Sequence, residues 1–131
     1  MSELKNQISQ FIDTNAKVYQ DISLAIHAKP EVSDFEYFAS QTLSEQLKKE
    51  GFEIELPAAG HRTGFAATYK SNKPGPTVVF LAEYDALAGL GHGCGHNVFG
   101  ATSSLAGAAL KSIVDQIGGE VRVYGTPGEE G

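Results

Sequence analysis

Three observations predict an α/β protein with helices packed on a mainly parallel sheet. Two early segments repeat apolar residues at helical spacing, short β-branched and aromatic runs follow them, and a glycine-rich loop links one such run to a long Ala/Gly/Ser-rich segment. That last segment leads into another strand-like run, which is the order of a βαβ crossover.

The first helix is predicted from Leu4 to Ile26, where Ile8, Phe11, Ile12, Tyr19, Ile22 and Ile26 fall on one face. The polar Asp13-Thr14-Asn15 patch is its one point of interruption. Ser33 followed by Glu36 reads as a capping box for a second helix, with Phe35, Phe38, Ala39, Leu43 and Leu47 as its apolar stripe. Lys48, Lys49 and Gly51 suit its end, cations near the negative pole and a glycine for a left-handed cap. Phe52 to Leu56 alternates as a half-buried strand should, and Gly64 to Tyr69 is a weaker second strand before the Lys73-Pro-Gly-Pro76 turn. Thr77 to Ala82 does not alternate, which predicts a central strand covered on both faces. Asn97 to Ile117 reads as a helix lying close to the sheet, and Val121 to Tyr124 as the next strand. Residues 1–131 hold one domain's worth of chain, with neither repeat nor linker. The sequence stops just beyond a buried-strand pattern, which predicts part of a longer protein.

Composition narrows the function. Ten basic against sixteen acidic side chains give a net charge of −6, with 41% hydrophobic and 20% charged residues. Such a balance speaks against nucleic acid or an anionic membrane as partner. No apolar run approaches the ~20 residues of a spanning helix. Met1-Ser-Glu-Leu-Lys5 lacks the order of a secretory leader, and the single cysteine, Cys94, excludes an intrachain disulfide; together they suggest the cytoplasm.

Chemistry is expected outside the carboxyl ends of the strands, where open α/β sheets bind ligands. Two such ends hold Glu83, Asp85, His92, Cys94 and His96, and then Glu129-Glu130. The glycine loop matches neither dinucleotide nor P-loop spacing, so nucleotide binding is disfavoured. Cys94 and His96 are good ligands for zinc and its relatives, and glycines around them let the backbone curl tightly. One carboxylate of Glu129-Glu130 can serve as third ligand while its neighbour faces a water and moves its proton, the division that metal-assisted hydrolysis requires. The inert alternative is a small buried cysteine, a loop histidine and two solvated glutamates. A Cys94 nucleophile with His96 or His92 as base is disfavoured, because residues so close in a glycine loop rarely hold a fixed hydrogen bond. His27 suits a helix C-terminus, and His61 receives no role.

Phe80-Leu-Ala-Glu-Tyr-Asp-Ala-Leu87, Gly91-His-Gly-Cys-Gly-His-Asn97 and Gly125-Thr-Pro-Gly-Glu-Glu-Gly131 resemble, in order and spacing, the aminoacylase-type metallopeptidases. The nearest branch contains the hippurate, indole-acetyl-amino-acid and aminobenzoyl-glutamate hydrolases. His27-Ala-Lys-Pro-Glu31 is similar to that branch as well. The resemblance implies the N-terminal part of a dinuclear metallohydrolase catalytic domain, with the lid/dimerisation domain and the C-terminal part lacking. It implies two divalent ions (Zn, Mn or Co), Cys94 bridging them, His96 and Glu130 as ligands, and Glu129 as general base. Glu83 and Asp85 are expected to orient ligands from behind. The implied substrate is an N-acyl amino acid or dipeptide, and the implied full-length enzyme a homo-oligomer. Three of five expected ligands predict weak metal binding and negligible hydrolysis by these residues alone; the alternative is a catalytically silent α/β fragment. Ala88 replaces the family's usual proline, Gly93 a common alanine, and Asn97 the aspartate of many members.

Overall fold

The computed structural model describes residues 2–131; Met1, where the leader reading starts, lies outside the described residues. Helix α1, Ser2–Ala28, runs unbroken through the polar patch. The Asn15 side chain donates to the Phe11 carbonyl at 2.9 Å, so the patch is absorbed within the helix. Tyr19, Ile22 and Ile26 form its buried stripe.

Helix α2, Tyr37–Lys49, starts later than the Ser33 capping box predicts. Glu36 takes the N-cap position without capping through its side chain. The Glu31 carboxylate instead accepts the N–H groups of Phe38 and Ala39 at 2.9 and 3.0 Å, while the Ser33 hydroxyl turns to Asp85. Phe35 therefore precedes the helix and is exposed, whereas Ala39, Leu43 and Leu47 are buried as the stripe predicts. The far end closes as expected, with Gly51 in the left-handed region at φ +102° and its N–H on the Lys48 carbonyl.

Strands β1 (Glu53–Glu55), β2 (Phe65–Lys70), β3 (Thr77–Ala82) and β4 (Glu120–Gly125) form one sheet in the order β1-β2-β4-β3. Its pairings are mixed: β1–β2 and β2–β4 are antiparallel, and β3–β4 is parallel across helix α3, His96–Ile117. The βαβ unit is thus present. The central position expected of β3 is not: it is an edge strand, and Val78, Val79 and Leu81 are exposed. An apolar run records how much surface needs cover, not which strand supplies it. The buried centre belongs to β2 and β4, where Phe65, Ala67, Val121 and Val123 meet the helices. Gly107 allows that approach, since a Cβ there would stand 2.4 Å from a Val123 methyl. None of the described helices is long and apolar enough to cross a membrane.

Candidate metal centre

Parallel pairing puts the exits of β3 and β4 side by side, Ala82 opposite Gly125. The Thr126 N–H donates to the Ala82 carbonyl at 2.9 Å and carries the register one step past the strands. From β3 the chain runs through Glu83, Tyr84 and Asp85 into the glycine loop. Gly95, at φ +86°, then turns it so that α3 opens on His96.

His96 is the hub. Its Nδ1 lies 2.8 Å from a carboxylate oxygen of Asp85, which is fully buried. An acceptor there holds the proton on Nδ1 and leaves Nε2 with its lone pair outward. Around that Nε2 stand Glu83 at 3.0 Å, Glu129 at 3.3 Å and Glu130 at 3.6 Å. The donor atoms of Cys94, His96 and Glu130 all lie within 4.8 Å of one another, as do those of Glu83, His96 and Glu129. Cys94 is exposed rather than packed among aliphatic side chains, as its inert reading would require.

Three carboxylates and a thiol gathered on one imidazole carry more negative charge than a single imidazolium can balance. With Nδ1–H already engaged by Asp85, neutral His96 offers them no proton at all. A soft sulfur, an imidazole nitrogen and carboxylate oxygens within ligand reach of a common centre are the donor set of a zinc-like divalent cation, so the residues fit such an ion. The field at Nε2 favours a cation. Burial alone would lower the His96 pKa, but Asp85, Glu83 and Glu130 raise it above the ordinary imidazole value, so a proton and a metal ion compete for that nitrogen. Desolvation and the neighbouring Glu130 carboxylate push the Cys94 thiol up, so its thiolate needs a cation beside it. That also weighs against an unassisted thiolate nucleophile.

Of the sequence-predicted residues, Cys94, His96, Glu129 and Glu130 come together. Asp85 stands behind His96, where an orienting group belongs; Glu83 reaches Nε2 instead and stands among the potential ligands. Sequence reasoning named Asp85 as an orienting group but missed Ser33 and Glu36, which with it hold the turn. Asp85 also accepts the Ser33 hydroxyl at 3.1 Å and the Glu130 N–H at 2.7 Å. Glu36, fully buried, binds the same turn at Gly128. The Ser33 and Glu36 signals were visible but matched a local helix cap equally well. Asn97 fastens the start of α3 to α1 through Ser23. His92 lies against His27, with ring centroids 6.3 Å apart, and burial followed by the nearby His27 and His96 lowers its pKa.

Comparison with known proteins gives this arrangement a context. No family model matches the chain. One of the subunits of the p-aminobenzoyl-glutamate hydrolase of Escherichia coli (strain K12) is 34% identical to it, with 100% of this chain and 31% of the relative aligned. A methicillin-resistant Staphylococcus aureus protein bearing the name aminohydrolase has the same fold at TM-score 0.80 and 27% identity, covering 93% of this chain and 34% of that one. A dinuclear metal binding peptidase of the M20 family from Bacillus subtilis shares the fold at TM-score 0.68 and 24% identity, over 96% of this chain and 36% of its own. The chain spans about a third of the length of the curated relatives it matches.

Proposed function

We propose, from the premise that this chain is related over its whole length to part of the aminoacylase-type metallopeptidases (the M20 family), that it carries metal-holding and proton-transferring groups of an amidohydrolase. The reaction is hydrolysis of the amide bond of an N-acyl amino acid or dipeptide. Cys94, His96 and Glu130 would hold divalent cations, with Glu83, 3.0 Å from His96 Nε2, within reach as a further ligand. Divalent ions bound there supply Lewis acidity toward a carbonyl oxygen and a water.

The chain's own residues do the rest. Asp85 keeps the proton on His96 Nδ1, so that Nε2 remains a ligand. Through the Glu130 N–H the same carboxylate fixes the turn that presents both glutamates. Glu129 is half-exposed and therefore free to take a proton from water and return it to the leaving nitrogen. Cys94 closes the donor set from the glycine loop.

The observation that carries this reading is the convergence of Cys94, His96 and Glu130 within 4.8 Å. In the full-length protein the ions are zinc, manganese or cobalt, and the enzyme is a cytoplasmic homo-oligomer. The 131 residues alone bind metal weakly and turn over negligibly, because the resemblance implies ligands that this sequence does not contain. Glu129→Gln in the full-length protein tests the base. Its kcat is expected to fall by roughly 10²–10⁴ with metal content retained, the range of general-base contributions. An unchanged rate would remove Glu129 from that role.

A further inference from the structure

The geometry points to Glu36 as a positioning residue for the Glu129-Glu130 turn, a role that rests on the reading of those two glutamates given above. Glu36 occupies the N-cap of α2, where a side chain ordinarily accepts the first free amides of its own helix. It does not do so, because Glu31 already accepts them. The Glu36 carboxylate turns inward, is fully buried, and uses its two oxygens on distant loops. One accepts the Thr63 hydroxyl at 2.9 Å, and the other accepts the Gly128 N–H at 2.8 Å.

Gly128 immediately precedes Glu129 and sits in the left-handed region at φ +71°. Two residues on, the Glu130 N–H is held by buried Asp85. Two buried carboxylates thus grip the amides of residues 128 and 130, and the side chains of Glu129 and Glu130 face His96 Nε2. Burying a carboxyl is unfavourable unless its hydrogen bonds are satisfied. An apolar side chain of equal size would fill the same space without that penalty. What it cannot do is accept the Gly128 N–H. The carboxyl at position 36 therefore sets the path of the turn, and through it the placement of a ligand and a proton acceptor. Glu36 itself is fully buried, and its carboxylate bonds Thr63 and Gly128 rather than the metal-donor side chains.

The test uses the full-length protein with two near-isosteric replacements. Glu36→Gln keeps an acceptor for Gly128, and Glu36→Met fills the volume without one. Amide hydrogen exchange is read at Gly128 and at Val121 and Val123, which report the sheet. Cobalt titration is followed by the Cys94 thiolate-to-cobalt absorption. Glu36→Gln is expected to retain Gly128 protection and cobalt affinity near wild type. Glu36→Met is expected to lose Gly128 protection while the sheet stays protected, and to weaken cobalt binding roughly tenfold or more, as loss of a supporting hydrogen bond does. Wild-type behaviour of Glu36→Met would overturn the proposal, and so would a loss in Glu36→Gln as large as that in Glu36→Met. If the full-length wild-type protein shows no thiolate–cobalt absorption, the metal reading fails by itself, and Gly128 exchange still decides the role of Glu36.

Discussion

Strands β3 and β4 belong to one crossover, run parallel, and end at the same site, yet their surroundings are opposite. Val121 and Val123 of β4 are fully buried, with β2 on one side, β3 on the other and α3 across one face. Val79 and Leu81 of β3 are 41% and 51% exposed, and among the described residues the outer edge of β3 has no strand partner. The exits differ in the same sense. Beyond β4, the turn is fixed by the buried acceptors Glu36 and Asp85. Beyond β3, the glycine loop is held by the Leu87–Gly91 bridge and by the Ala86 N–H on the Glu31 carbonyl. Stability and site geometry therefore centre on β4, while β3 contributes ligands from an open flank.

The largest expected effect is on the β4 side. Val123→Ala removes two methyls from a site where α3 packs at Gly107, and should destabilise by about 2 kcal/mol or more in urea unfolding. A loss no larger than that of a surface substitution would break the comparison. A smaller effect follows from Glu36. Burial and, more weakly, the neighbouring Asp85 raise its pKa above the ordinary 4.5. A carboxyl whose pKa is raised on folding binds more protons in the native state, so its contribution is complete below 4.5 and declines as pH climbs through the raised value. The stability of Glu36→Gln relative to wild type should thus increase with pH across that window; a flat difference would deny the burial effect. The smallest effect is expected of Val79→Ala, within about 0.5 kcal/mol of wild type. A large loss there would mean that the β3 flank is covered after all.

Much of this was legible in the sequence, for reasons tied to particular residues. Helical spacing located α1 and α2 because Ile22, Ile26, Leu43 and Leu47 each need the same buried face. The crossover was legible because Gly107 and its small neighbours let α3 approach the sheet closely. Cys94, His96 and Glu130 were singled out through the three motifs together and their resemblance to a known family, since by residue type alone the inert reading stood open. The position of β3 was not, since Thr77 to Ala82 has the apolar content of a central strand and pairing order is set by the whole sheet. Nor were the partners of Ser33, Glu31 and Glu36. The same side chains satisfy either a local cap or a distant amide, and only the path of the 125–131 turn decides between them.

X-ray absorption on the zinc-loaded full-length protein tests the shared ligand centre most directly. One sulfur at about 2.3 Å, with nitrogen or oxygen neighbours at about 2.0–2.2 Å, is the expected shell, and the sulfur should vanish in Cys94→Ser. A wild-type shell of nitrogen and oxygen alone would contradict the meeting of Cys94, His96 and Glu130 on one ion.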